Sequence, residues 1–322
     1  IISIVEHGHI WDTNSFLLIS PSSYYKMNDN EANTVVLDAM ENNNGTAQQN
    51  TCLISSSTGK INGALEFNGS TDYISLPSSV SDDIVDNITI SAWVYSNTLL
   101  ETSEYRAIVS EAYDGDGNVE FELYLDGANH NLSAGFYNGS WHTVAETTAF
   151  PLNQWVYVTV SYDGSYIHLY RDAEEVISSS DLSLSLPSGT NGWRIGRRHD
   201  LGGASDMWNG TIDDVRIYNT TLSADEISNI YNSGVGLEDT ISPRILYTQL
   251  GTKSTTGSFS SSLTSLSEET TYYVISYVDL SDGSTIYGDE ISFATLAEIP
   301  PKYNIKSGGD GGIKLRGDIM FR

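Results

Sequence analysis

The chain has 322 residues, with 15 Lys plus Arg against 42 Asp plus Glu, a formal net charge of −27. That balance excludes a duplex-binding protein, which needs a cationic stripe to displace counterions, and it disfavours anionic membrane surfaces and highly sulfated polysaccharides. At 39% hydrophobic residues the chain can bury a core, and its one cysteine, Cys52, excludes an intrachain disulfide and a cysteine-based metal site. No apolar run approaches the length needed to span a bilayer. Residue 1 is Ile and no leader pattern follows it, so the chain is expected to be processed or to be a stretch of something longer.

Taken in chain order, the pattern has period two almost throughout, the mark of half-buried strands. Ile2-Ser-Ile-Val-Glu-His-Gly-His-Ile-Trp11 alternates, and Trp11 suits a sandwich core. Ile88-Thr-Ile-Ser-Ala-Trp-Val94, Val119-Glu-Phe-Glu-Leu-Tyr-Leu125 and Trp155-Val-Tyr-Val-Thr-Val-Ser-Tyr162 are further strands, with Trp93 and Trp155 read as core. Asp163-Gly164-Ser165 is a hairpin turn leading into Tyr166-Ile-His-Leu-Tyr-Arg171. Trp193-Arg-Ile-Gly196 and residues 212–218 add two more strands. One short helix is predicted over 223–231. Ser223 is its N-cap, Glu226 stands at the capping-box position, Ile227, Ile230 and Tyr231 share a face, and Gly234 is the expected stop. Strand patterns return over 257–278 and 287–295. Pro300-Pro301 then breaks the chain, Ser307-Gly-Gly-Asp-Gly-Gly312 predicts a flexible link, and residues 313–322 are locally basic. Residues 298–322 read as an extended arm that docks on a neighbouring subunit, with a frayed terminus as the alternative. Many short strands with turn signals between them predict a two-sheet sandwich or jelly roll.

Gly63-Ala-Leu-Glu-Phe-Asn-Gly-Ser-Thr-Asp-Tyr-Ile-Ser-Leu-Pro77 resembles the opening signature of the laminin-G-like, concanavalin A-like jelly rolls. The same order continues in Ile90-Ser-Ala-Trp-Val94, in residues 151–164, in Gly210-Thr-Ile-Asp-Asp-Val-Arg-Ile-Tyr-Asn219 and in Leu222-Ser-Ala-Asp-Glu-Ile227. The resemblance covers about 21–234. Residues 257–278 and 287–295 resemble the last strands of a fibronectin type III-like sandwich, and residues 2–14 resemble its middle strand. The expected fold is therefore all-β: a concanavalin A-like jelly-roll sandwich over 21–234, inserted in a small, discontinuous fibronectin type III-like β-sandwich of 1–19 and 241–297. The alternative is an independent N-terminal strand with a small C-terminal hairpin unit.

The resemblance implies a calcium ion on the sandwich rim. Matched residue by residue, it falls to Asp38, Asn44 and Gly45 of the loop after the first strand and to Asp213, with Asp72 as a weaker addition. The alternative has Asp38 and Asp72 in Asx-turn hydrogen bonds and Asp213 paired with Arg216. Laminarinase-type glycosidases share the fold and carry Glu-x-Asp-x-x-Glu, which this sequence lacks. In its place Glu120, Glu122, Tyr124 and Asp126 share one strand face, expected to be a solvated acidic face. There is no Gly-x-Ser-x-Gly elbow and no His-Glu-x-x-His pair; His7 and His9 share a strand face but make no site alone.

Neutral sugars are held by aromatic faces over their C–H patches and by polar groups at the rim. Loop aromatics are the natural candidates: Tyr137, Trp141 and His142 in one hairpin, Tyr113 with Asp116 and Asn118 in another loop, and Arg198 with Trp208 on a third. Trp141 as a hairpin residue packed on its neighbour, and Trp208 as a lid over the final strand, are the alternatives. Fibronectin-like modules with such insertions and a basic tail resemble parts of phage and archaeal-virus particles or microbial surface filaments. The function expected is thus non-enzymatic recognition or adhesion on a virion or cell surface, with an extracellular glycan and neighbouring subunits as partners and neither nucleic acid nor membrane insertion. A purely structural virion or filament subunit that binds no sugar is the second expectation, and a glycoside hydrolase a distant third.

Overall fold

A computed structural model describes residues 4–12, 20–29, 34–48, 59–82, 84–98, 105–111, 121–127, 130–186, 192–198, 206–236, 246–247, 250–252, 259–263, 266–281, 285–287, 291–295 and 314–317. The chain divides into two compact units. The small unit holds residues 1–18 and 239–322, and the large unit holds 19–238. Among the described residues no helix is long and apolar enough to cross a membrane.

The strands run, in chain order, β1 Ile4–Asp12, β2 Ser23–Tyr25, β3 Val35–Val36, β4 Gly45–Gln48, β5 Leu65–Asn68, β6 Tyr73–Ser75, β7 Ile88–Ser96 and β8 Tyr105–Glu111. Next come β9 Phe121–Asp126, β10 Asn131–Tyr137, β11 Trp141–Ala145, β12 Trp155–Tyr162, β13 Ile167–Arg171, β14 Glu174–Ser178, β15 Trp193–Ile195 and β16 Asn209–Tyr218. Helix α1, Ala224–Tyr231, follows, and then β17 Leu246–Tyr247, β18 Phe259–Ser262, β19 Thr271–Leu280, β20 Thr285–Tyr287, β21 Ile291–Ala294 and β22 Lys314–Gly317.

The large unit is a two-sheet sandwich. One sheet has eight strands in the order β11-β10-β9-β8-β15-β6-β4-β3; the other has seven, β14-β13-β12-β7-β16-β2 with β5 also on β16. Period two decides what each sheet turns inward. Phe136, Phe121, Leu123, Ile195 and Ile74 of the first sheet are buried in one cluster with Val158, Val160, Ile90, Val94, Ile212 and Ile217 of the second. A bulge in β8 sends Ile108 and Val109 both into that core. Trp93 is buried, whereas Trp155 is only half-buried, edge-on to Tyr95 with centroids 5.7 Å apart.

Helix α1 packs on the outer face of the seven-stranded sheet at Trp93 and Tyr157. Ser223 and Glu226 form the reciprocal capping box, and the helix buries Ile227 and Ile230. Tyr231 stacks on Trp93 at 5.5 Å and on Tyr157 at 5.9 Å. The helix stops at Asn232, in the left-handed region at φ 49°, two residues before the expected Gly234. Asparagine tolerates that conformation because its short amide bonds locally.

In the small unit β1 pairs antiparallel with β19, from Ile4 opposite Leu280 to Asp12 opposite Tyr273. β17 flanks β1, and β20 and β21 flank β19. Among the described residues Leu263, Tyr272 and Val274 form one buried cluster in it, with Phe293 stacked on Tyr272 at 5.9 Å. His7 and His9 are buried, and the His7 ring lies 2.6 Å from the carbonyl of Gly251. Of the arm expected over 298–322, residues 314–317 form β22, paired with β18 of the same chain. The rest of it lies outside the described residues.

Candidate functional site

The outer face of the eight-stranded sheet is not apolar, and its register shows why. Tyr137 stands opposite Trp141, Gly135 opposite Glu122 and Thr143, and Ser133 opposite Tyr124. Glu122 stands opposite Ser110, Ser110 opposite Arg194, and Arg194 opposite Ser75. Directly opposed residues share a face, so one surface carries Trp141, Tyr137, Glu122, Tyr124, Tyr105, Arg194 and Tyr73.

Arg198 organises this surface. Its Nε and Nη2 donate to the two carboxylate oxygens of Glu122 at 2.6 and 2.9 Å, a bidentate pair. Glu122 is 0% exposed and Arg198 20%. The guanidinium lies 4.6 Å from the Tyr105 ring centroid, 5.6 Å from Tyr124 and 5.7 Å from Trp141. Burial pushes the Glu122 carboxyl up, and Arg198 pulls it back only in part. Burial works against the charge on Arg198, but Glu122 more than restores it. Burial, and then Glu122, also raises the Tyr124 hydroxyl.

Backbone bonds hold Arg198 in place. Its N–H donates to the carbonyl of Asp206 at 2.9 Å, and the Ser110 hydroxyl donates to the carbonyl of Arg197 at 2.8 Å. Gly135 is required beneath it. A Cβ there would stand 2.3 Å from the carbonyl oxygen of His142 and 2.7 Å from Thr143.

Of the expected sugar-binding residues, Trp141, Tyr137 and Arg198 come together here. Trp141 is 41% exposed and edge-on to Tyr137 at 5.6 Å. His142 does not join them. It alternates to the other face, with its ring 5.5 Å from Phe136. Trp208 is buried in the core and no lid residue. Tyr113, Asp116 and Asn118 lie outside the described residues. Two members of the acidic face expected on β9, Glu122 and Tyr124, are buried against Arg198 rather than solvated, whereas Asp126 is half-buried. Glu120 lies outside the described residues. Tyr105 and Gly135 were not picked out from sequence; their signal is the register with β9, which no single strand reveals.

The five residues matched to calcium are engaged within the chain, except that Asp213 Oδ1 is buried without a hydrogen-bond partner. Both oxygens of Asp38 accept backbone N–H groups, from Tyr24 at 2.8 Å, Met40 at 3.0 Å, Asn42 at 3.3 Å and Asn43 at 2.9 Å. Asn44 Oδ1 accepts the N–H of Asp38 at 2.9 Å. Gly45 is a packing glycine, since a Cβ would stand 2.7 Å from Ile74 and 2.9 Å from Leu76. Asp72 accepts from Asn68 N and Thr71 Oγ1. Asp213 accepts the N–H of Ile61 at 2.8 Å, and burial raises its carboxyl to about 8. It is Asp214, beside a bulge in β16, that pairs with Arg216 at 3.0 Å. Among the described residues no three His, Cys, Asp or Glu side chains gather as a metal site. Asp38 and Asn44 together line a cavity of about 550 Å³, with Lys26, Asn28, Asp29 and Glu41 among its other walls.

The sequence model of the concanavalin A-like lectin/glucanases superfamily matches residues 68–228, half of the chain. The chain belongs to this superfamily. No curated protein matches it. Among solved structures, the superfamily fold of this chain is similar to domain 4 of an extracellular arabinanase from Geobacillus stearothermophilus, solved with arabinotriose. That match has 19% identity and a TM-score of 0.50 over 68% of this chain and 98% of the domain. It is also similar to a mutant Trypanosoma rangeli sialidase displaying trans-sialidase activity, with 15% identity and a TM-score of 0.52 over 70% of this chain. The match covers 35% of the sialidase. At these identities the likeness shows the concanavalin A-like fold and not the activity.

Proposed function

We propose that the protein is a non-enzymatic glycan-recognition protein and that the outer face of the eight-stranded sheet is its binding surface. One observation carries this reading: Arg198, clamped by Glu122, lies among Tyr105, Tyr124 and the half-open Trp141. Rings cover the C–H patches of a sugar, and a fixed guanidinium donates to its hydroxyls and ring oxygens. Glycoside hydrolysis asks for two carboxyl groups free to exchange protons or attack. Glu122 is not such a group, because both its oxygens are held by Arg198. The arabinanase domain solved with arabinotriose supports the view that this fold accepts short sugars.

In the same reading the small unit is a fibronectin type III-like module, interrupted in sequence by the jelly roll and displayed outside the cell or on a virion. The antiparallel register of β1 with β19 supports it. The test is a glycan array probed with the full chain and with Trp141→Ala, with the melting temperature of each as the control for folding. Binding that falls at least tenfold in the variant, about 1.4 kcal/mol, supports the site. Silence across all sugars favours a structural subunit instead.

A further inference from the structure

The outer face does not end at Arg198. It continues across β15, β6 and β4, where Arg194, Ser75, Tyr73 and Thr46 point away from the core while Trp193, Ile195, Ile74 and Ala47 are buried in it. On this half stands a second pairing of arginine with a ring. The guanidinium of Arg197 lies 4.7 Å from the Tyr73 ring centroid, and that of Arg194 lies 5.7 Å from it. Tyr73 is half-buried, as a platform side chain must be if one edge is to remain accessible.

Both pairings spring from one dipeptide. Arg197 and Arg198 are adjacent, and their backbone is fixed by Ser110, Asp206 and the bridge from Arg197 to Met207. Arg198 reaches toward β8, β9 and β11, while Arg197 reaches toward β6. Tyr124 on β9 and Tyr73 on β6 are three strand steps apart, about 14 Å at the usual strand spacing. Trp141 on β11 is five steps from Tyr73, about 24 Å. A monosaccharide is too small to touch both platforms.

We propose that Tyr73 with Arg197 forms a second sugar subsite, so that the ligand is a linear oligosaccharide held along its length rather than by one terminal unit. This rests on the reading of the face as glycan-binding. A chain that reaches both subsites makes the second contact intramolecularly, and its affinity rises without any change in the first.

The test uses the full chain and an array of linear arabinan, xylan, β-glucan, galactan and polygalacturonate oligosaccharides, each graded from dimer to octamer. In the wild type, affinity within at least one series rises tenfold or more with length. Tyr73→Ala lowers the octamer-to-dimer affinity ratio to about one, and Arg197→Gln, which keeps the ring, does the same if Tyr73→Ala fails to fold. Trp141→Ala weakens short and long members alike. Equal affinity for dimer and octamer in the wild type, or a rise that survives both Tyr73→Ala and Arg197→Gln, overturns the second subsite and leaves the first standing. Failure of every series to bind overturns the glycan reading and the second subsite with it.

Discussion

Glu122 and Arg198, 76 residues apart in sequence, meet through two hydrogen bonds on a sheet face where the carboxylate has no access to water. Removing the arginine strands that carboxylate, whereas neutralising both partners does not. Arg198→Ala is expected to destabilise the large unit by about 3 kcal/mol, the order found when one member of a buried pair is lost. Adding Glu122→Gln to Arg198→Ala should recover a good part of it. Urea unfolding followed by tryptophan fluorescence checks this, since five of the six tryptophans lie within 19–238. Equal losses in the single and double variants would show that packing, not charge, holds the pair.

Gly135 separates binding from stability in a different way. Its missing Cβ lets the β11 backbone approach, so Gly135→Ala must push β10 and β11 apart at the carbonyl of His142. We expect a loss of about 1–3 kcal/mol from overpacking. Sugar affinity should fall with it, because Tyr137 and Trp141 sit on the same two strands. Unchanged chemical shifts for both rings in the variant would contradict this.

Asp38 ties down the 38–44 loop through four backbone donors. Asp38→Ala leaves those donors to find water and should cost about 3 kcal/mol, the range for hydrogen bonds to a charged group. Because the carboxylate is already saturated, a chelator should leave the melting temperature where it is. A melting point lowered by EDTA and restored by calcium would return the rim ion to consideration.

His9 is expected to make the small unit acid-sensitive. Burial, and after it the neighbouring His7, lowers its pKa below the ordinary 6.5. The unfolded chain therefore takes up a proton before the folded one does. The stability His9 confers is complete above about pH 6.5 and is lost as the pH falls below it. Calorimetry between pH 7.5 and pH 5 should show the transition of residues 1–18 and 239–322 moving to lower temperature. His9→Gln should flatten that dependence. A transition that does not move with pH in the wild type would remove the effect.

Much of the architecture was legible because strands advertise themselves locally. Phe121, Leu123 and Leu125 alternate with Glu122 and Tyr124, and that alternation alone divides β9 into two faces. The capping box of Ser223 and Glu226 is likewise a four-residue matter, readable without any neighbour. The site was legible only in pieces. Trp141, Tyr137 and Arg198 stood out as aromatic or cationic in turn-rich stretches, but nothing near them in sequence said that they converge. Proximity in sequence places His142 with Trp141, whereas successive residues of a strand point to opposite faces.

Composition and period two were sufficient for an all-β chain with a real core, because side-chain alternation is a property of each strand by itself. Which polar face would be covered and which left open was settled only by folding. Helix α1 packs on the outside of one sheet, with Tyr231 stacked on Trp93 and Tyr157, while the outside of the other is lined with rings and arginines. That choice depends on pairing register and on contacts between segments far apart along the chain, and those energies have no local signature.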